Sequence, residues 1–206
     1  MGFKTKIGNK MVTKFYIFEK KNNIVGPLYH GSGIVFDKFS NEKLGSSRNV
    51  VHLMDFLGIH FTPDKKMAER LFSKPPNYVV YEVEIKVNKI LKKRESQLVR
   101  DMLKWGGEND YVDKEFIEKN YLLYRTYSNI TPFDRENKII SLNHFLLEDN
   151  TFDKKKLTLD YKQYLIEQGY DSIHYLNEIE WSSDERWDWI VFNDNQIKII
   201  NIYKGK

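Results

Sequence analysis

The sequence predicts an α+β fold with strands towards both ends of the chain and a helical middle, and three stretches carry that prediction. Tyr78 to Val87, YVVYEVEIKV, alternates polar with β-branched and aromatic side chains, the pattern of a half-buried strand. Asp171 to Leu176, Asp188 to Phe192 and Gln196 to Tyr203 follow as short strands near the C-terminus, with Asn193-Asp194-Asn195 as a turn. Ile90 to about Asn150 is charged and helically spaced.

A chain of 206 residues can bury one sizeable core, so residues 1–206 are expected to form a single domain with a helical insertion at about 90–150. Hydrophobic content of 41% and aromatic content of 15% argue for a folded chain, the ends excepted. The 33 basic and 29 acidic residues leave a net charge of +4, which suits an acidic ligand such as a dinucleotide and falls short of the basic stripe of a dedicated nucleic-acid binder. There is no cysteine, which excludes disulfides, thiolate nucleophiles and zinc–cysteine sites. The histidines at 30, 52, 60, 144 and 174 have none of the close spacings that place metal ligands on one helical face, so no metal is expected. No apolar run approaches the ~20 residues of a membrane span, and MGFKTKIGNKMVTK lacks the apolar core of a signal peptide; the expectation is a cytoplasmic protein without a membrane partner. Frequent Lys, Asn and Ile fit an AT-rich genome, as in a phage or a low-GC bacterium.

In chain order, Lys14 to Phe18 reads as an early strand followed by a turn at Gly26-Pro27. Leu28-Tyr29-His30 is a short strand stopped by Gly31-Ser32-Gly33, where glycines let backbone approach a ligand closely. Ser47 to Leu57 has the apolar spacing of a short amphipathic helix, and Gly58 to Thr62 is a strand. Thr62 can cap a helix that begins with Pro63 and places Met67, Leu71, Ala68 and Phe72 on adjoining faces. Pro75-Pro76 ends it. Glu95 to Trp105 and Asp113 to Tyr127 are helices separated by Gly106 to Asp110, and His144 reads as a packing histidine. Leu157 to Gln168 is a further helix closed by Gly169. The acids Glu178, Glu180, Asp184 and Glu185 lie between two strands, where a solvated loop is their ordinary role and a carboxylate facing developing positive charge is the chemical one.

Three signals fall in one order: LYHGS, then GIHFT with a following helix, then GYDSIHYLNEIE leading to VFNDNQIK. Over residues 27–87 and 157–200 this resembles the ADP-ribosyltransferase fold, the NAD-cleaving group of diphtheria toxin and the poly-ADP-ribose polymerases, and in particular the small domains of phage and mobile-element proteins. The resemblance implies split mixed and antiparallel β-sheets with flanking helices. It also implies a mono-ADP-ribosyltransferase that cleaves NAD, as co-substrate, at the nicotinamide–ribose bond and transfers ADP-ribose to a macromolecular acceptor, a host protein rather than nucleic acid. His30 would hold the ribose and the Gly31 backbone would pair with the nicotinamide amide, beside Ser32. Glu180, four positions into N-E-I-E, would stabilise the transition state as nicotinamide leaves. His60 occupies the second family position, usually tyrosine, with Phe61 and Thr62 adjoining, and the stacking aromatic of the next helix would be Leu71 or Phe72. Glu178 and Glu180 form the E-x-E of arginine-modifying members, in which the first acid positions the acceptor, but the arginine and S-T-S that accompany it there are missing.

Two other functions fit the same residues. A catalytically degenerate module that binds a nucleotide or partner is compatible with His60, although a retained acid in a desolvated cleft argues for chemistry. An RNA 2′-phosphotransferase also carries histidine at the second position, but it needs arginines on phosphate, and Arg48, Arg70 and Arg94 lie in no matching motif.

Overall fold

A computed structural model of the chain describes residues 23–45, 53–72, 78–115, 152–177 and 186–204, with the side chains of Leu71 and Phe72 outside it. Two sheets form. One is antiparallel and runs β1 (Ile24–Ser32), β3 (Val79–Lys86), β7 (Ile197–Lys204), so that the strongest strand of the sequence is central. The other is mixed and runs β2 (Ile59–Phe61), β6 (Arg186–Val191), β5 (Ser172–Asn177), β4 (Ile90–Arg94), with β4 parallel to β5 and the other pairs antiparallel. This is the α+β architecture with split antiparallel and mixed sheets that the resemblance implied. Among the described residues three helices flank the sheets: α1 (Lys65–Phe72), α2 (Glu95–Glu108) and α3 (Lys154–Glu167).

Strand alternation separates two apolar clusters. Leu28, Val83 and Ile85 from the first sheet meet Ile59, Phe61, Trp189 and Val191 from the second, forming the layer between the sheets. The intervening residue Ile190 points the other way and joins Ile173, Leu98 and Met102 of α2, and Leu157 and Leu165 of α3. Each such Val, Leu, Ile or Phe contributes roughly 1.5–3 kcal/mol by leaving water.

Several local readings are corrected. Gly26-Pro27 is a cis peptide inside β1, at the register shift between Val25 and Leu28, where an edge strand tolerates a residue without an N–H. Of the expected helix from Ser47 to Leu57, the described residues 53–57 form a turn, although Leu53, Met54 and Leu57 are buried as expected. Asp64, rather than Thr62, caps α1, its Oδ1 accepting from the N–H groups of Lys66 and Met67 at 2.9 and 3.3 Å. Ile90 to Arg94 is strand rather than helix because it pairs alongside β5 as the sheet's edge. Gly106 and Gly107, read as a separator, belong to the last turn of α2; a Cβ on Gly106 would lie 2.7 Å from Leu157 Cδ1, so its absence lets α3 approach. The end of α3 is as expected, with Gly169 at φ +84°. Residues 14–18, Pro75-Pro76, His52, His144 and all of the 113–127 helix beyond its first residues lie outside the described residues. No described helix is long and apolar enough to cross a membrane.

Candidate active site

The two sheets touch along β1 and β2 through one rung. Tyr29 N–H donates to the Thr62 carbonyl at 2.7 Å, and Thr62 N–H returns the bond to Tyr29 at 3.0 Å. In an antiparallel ladder the next bonded pair would be Gly31 with His60. Instead the His60 carbonyl accepts from His30 Nδ1 at 2.8 Å, and the bridge remains isolated. Because backbone groups two residues apart leave a strand on the same side, the N–H and C=O of Gly31 point to this edge, away from β3. β1 and β2 make no further rung beyond Tyr29–Thr62, so the Gly31 donor and acceptor lie side by side on this edge, in a residue that is itself buried.

His30 borders that edge half-buried, its ring edge-on to Phe39 at 5.2 Å and tilted against Phe61 at 5.8 Å. A carbonyl only accepts, so Nδ1 carries the proton and Nε2 is the acceptor of the neutral ring. Burial pushes its pKa down to about 4, so the ring is neutral at physiological pH. Ser32 is buried beyond it, its Oγ donating to the Ile34 carbonyl at 2.9 Å and accepting from the Ile34 N–H at 3.1 Å.

On β2, alternation sends the two expected residues to opposite faces. Phe61 is 2% exposed between the sheets. The His60 ring points to the helix-covered face, where Nε2 donates to the Met54 carbonyl at 3.0 Å and Nδ1 faces the Tyr175 hydroxyl at 3.4 Å. Thr62 is buried and its Oγ1 accepts from Asp64 N–H at 3.2 Å. Glu178 and Glu180 lie outside the described residues, but the strands that flank them are in place: Asn177 and Arg186 are directly opposite in the last pair of β5 and β6.

Sequence reasoning passed over Asp188. It is a buried carboxylate on β6, directly opposite Tyr175 and therefore on the face that carries His60. Arg186 Nε lies 3.1 and 3.2 Å from its two oxygens, and Asn177 Nδ2 donates to Oδ2 at 2.8 Å. An acid inside the apolar run D-W-I-V-F was the available signal, since an ionised group in a strand interior needs partners or a task. Two other motif residues prove structural. Asp171 accepts from the N–H groups of Asn88 and Lys89 at 2.7 and 3.2 Å, and Gln196 Nε2 donates to the Lys86 carbonyl at 2.9 Å.

A neutral imidazole acceptor beside a backbone donor and acceptor can hold a planar carboxamide and a sugar hydroxyl; Asp188 lies on the other, helix-covered face, with both oxygens engaged by Arg186 and Asn177. Among the described residues no three His, Asp or Glu side chains are grouped as metal ligands.

A family model described as "ADP-Ribosyltransferase in polyvalent proteins" matches residues 25–206. A solved structure described as "Crystal structure of an anti-CRISPR protein" is similar over 86% of this chain and 93% of its own, at 13% identity and a TM-score of 0.31. No curated protein matches the chain.

Proposed function

The chain belongs to the ADP-ribosyltransferase family of polyvalent proteins, and from that we propose that it is a mono-ADP-ribosyltransferase that splits NAD at the nicotinamide–ribose bond and passes ADP-ribose to a macromolecular acceptor, a host protein, in a bacterial cytoplasm. The observation that carries this reading is the broken ladder at Gly31, whose backbone N–H and C=O suit both ends of the nicotinamide carboxamide. His30 Nε2 accepts from a ribose hydroxyl, held by its bond to the His60 carbonyl. Ser32, Phe61 and Thr62 shape the cleft wall. His60 contributes its carbonyl to His30 and its ring to Tyr175, and a side chain from α1, Leu71 or Phe72, packs on nicotinamide. When NAD is bound, the bond to nicotinamide breaks with positive charge growing on the ribose.

The acid that faces this charge has two candidates. The N-x-x-E pattern assigns it to Glu180, with Glu178 positioning the acceptor. Asp188 is the second, favoured by its burial and its place opposite Tyr175, on the His60 face. Released nicotinamide and labelled product, measured with labelled NAD and whole bacterial lysate, test the proposal. Protease-sensitive label from the wild type, lost in one acid variant, is expected. Absence of both nicotinamide and label would overturn it in favour of a binding module. Glu178→Gln should preserve nicotinamide release and impair labelling; equal loss of both removes its separate role.

A further inference from the structure

The outer face of the first sheet carries a chain of polar contacts that the residues around His30 do not use. Alternation turns Tyr81, Val83 and Ile85 of β3 to the layer between the sheets and Glu82 to the opposite face. There Glu82 stands directly opposite Tyr29, the residue that pairs with Thr62, and accepts a hydrogen bond from the Tyr203 hydroxyl of β7. That bond holds the hydroxyl above its usual pKa, so it stays protonated and remains the donor. Lys65, the first residue of α1, places its Nζ 3.1 Å from the centre of the Tyr203 ring. The contacts Lys65–Tyr203–Glu82 thus tie α1, which packs on β1 and β3, to the far edge strand of the sheet. With 8 residues α1 is shorter than the ~12–15 that an isolated helix needs in water, so tertiary contacts decide where it lies. Lys65 and Ala68, three apart, share one face of the helix, and Ala68 is buried, so this face sets the rotation of α1 against the sheet. Thr62 is held by Tyr29 and Lys65 by Tyr203, which pins the Pro63-Asp64 link at both ends.

We infer that Tyr203 is a positioning residue for NAD: its ring, fixed by Glu82, seats Lys65 and thereby sets how α1 presents the side chain that packs on nicotinamide. The inference rests on the transferase reading above and deepens it by extending the site to β7, a strand that pairs with β3 alone. Tyr203 acts through Lys65 and α1, without touching the ligand. A displaced helix would weaken the grip on nicotinamide equally before and during bond cleavage, so the loss belongs to NAD binding and not to the chemical step.

The test measures kcat and KM for NAD in nicotinamide release by the wild type, Tyr203→Leu, Tyr203→Phe and Lys65→Met, with the melting temperature of each. Tyr203→Leu and Lys65→Met each remove the cation–ring contact and should raise KM about three- to tenfold, with kcat within about twofold of the wild type. Tyr203→Phe keeps the ring and should bring KM back to within about threefold of the wild type. The pair Tyr203→Leu/Lys65→Met should be no worse than the worse single variant, as expected of two residues acting through one contact. Lys65→Met keeps the length of the side chain and carries the test should Tyr203→Leu fail to fold. A lowered melting temperature with KM unchanged would show a merely structural contact and overturn the inference alone. So would a fall in kcat at constant KM, or a rise in KM with Lys65→Met only, which would put Lys65 directly on the NAD phosphates. A wild type that releases no nicotinamide would overturn the transferase reading and this inference together.

Discussion

β1 has two edges. Towards β3 it pairs from Ile24 to Ser32 with a single register shift, and the partners behind that ladder, Val79, Val83 and Ile85, are fully buried. Towards β2 it makes one rung at Tyr29–Thr62 and then opens, because the His60 carbonyl is taken by the His30 ring. A backbone group must find a partner, and the ladder is the usual one. Where the ladder is complete the strand serves stability; where it stops beside a fixed imidazole, the function proposed above gives its amide groups to a ligand. On that proposal one strand is a scaffold on one side and a recognition edge on the other.

The sharpest way to separate the two edges is to remove the acid that the proposed function calls for. Glu180→Gln should lower nicotinamide release by roughly 10²–10³-fold with the melting temperature little changed, the loss expected for one transition-state contact. Asp188→Asn, which removes the charge paired with the buried Arg186 guanidinium, should lower release comparably if it is the acid and should also cost about 3–5 kcal/mol of stability. Full activity in both would break the comparison. On the closed edge, Ile85→Ala should cost about 2–5 kcal/mol in denaturant unfolding and leave the turnover of the folded protein within about twofold. A rate loss at full stability would show that the ladder also serves chemistry.

The pH dependence of stability reports on the same seam. His30 has its pKa depressed from 6.5 to about 4, chiefly by burial, so the unfolded chain takes up its proton first as the pH falls. Stability should therefore fall between about pH 6.5 and pH 4 and level off below, by at most on the order of 3 kcal/mol for this ring. Burial and Lys92 depress His174 in the same sense, and it adds to the slope. His30→Gln should flatten the curve measurably; an unchanged curve would mean that His30 is well hydrated. The smallest effect belongs to Tyr81→Phe, which removes the hydroxyl bonding Phe36 and should cost about 1 kcal/mol while loosening the 34–36 loop, read by faster amide exchange at Phe36.

Much of this organisation was legible in the sequence. Period-two alternation marked β3 and β5, an aromatic and β-branched run marked β6, and Gly169 marked the end of α3, because each is a local property of a few residues. β4 was not legible: Ile90 to Arg94, ILKKR, alternates weakly and becomes strand only because β5 is available to pair with it. Gly106 and Gly107 look like a break until Leu157 is seen against them. In the candidate site, YHG pointed to positions 30 and 31, which the structure sets at the end of the β1–β2 pairing, but the opposite directions of the His60 and Phe61 side chains follow from which face of the sheet is covered by helices. Asp188 was hidden for a similar reason, since its partners Asn177 and Arg186 come together only across the β5–β6 ladder.

The decisive measurement is nitrogen-15 chemical-shift mapping as NAD is added to the labelled protein. Large shifts at His30 Nε2 and the Gly31 amide, with the Val83 and Ile85 amides stationary, are what an open recognition edge predicts. Saturating NAD that moves β3 amides and leaves His30 and Gly31 in place, or that moves none of them, would contradict it.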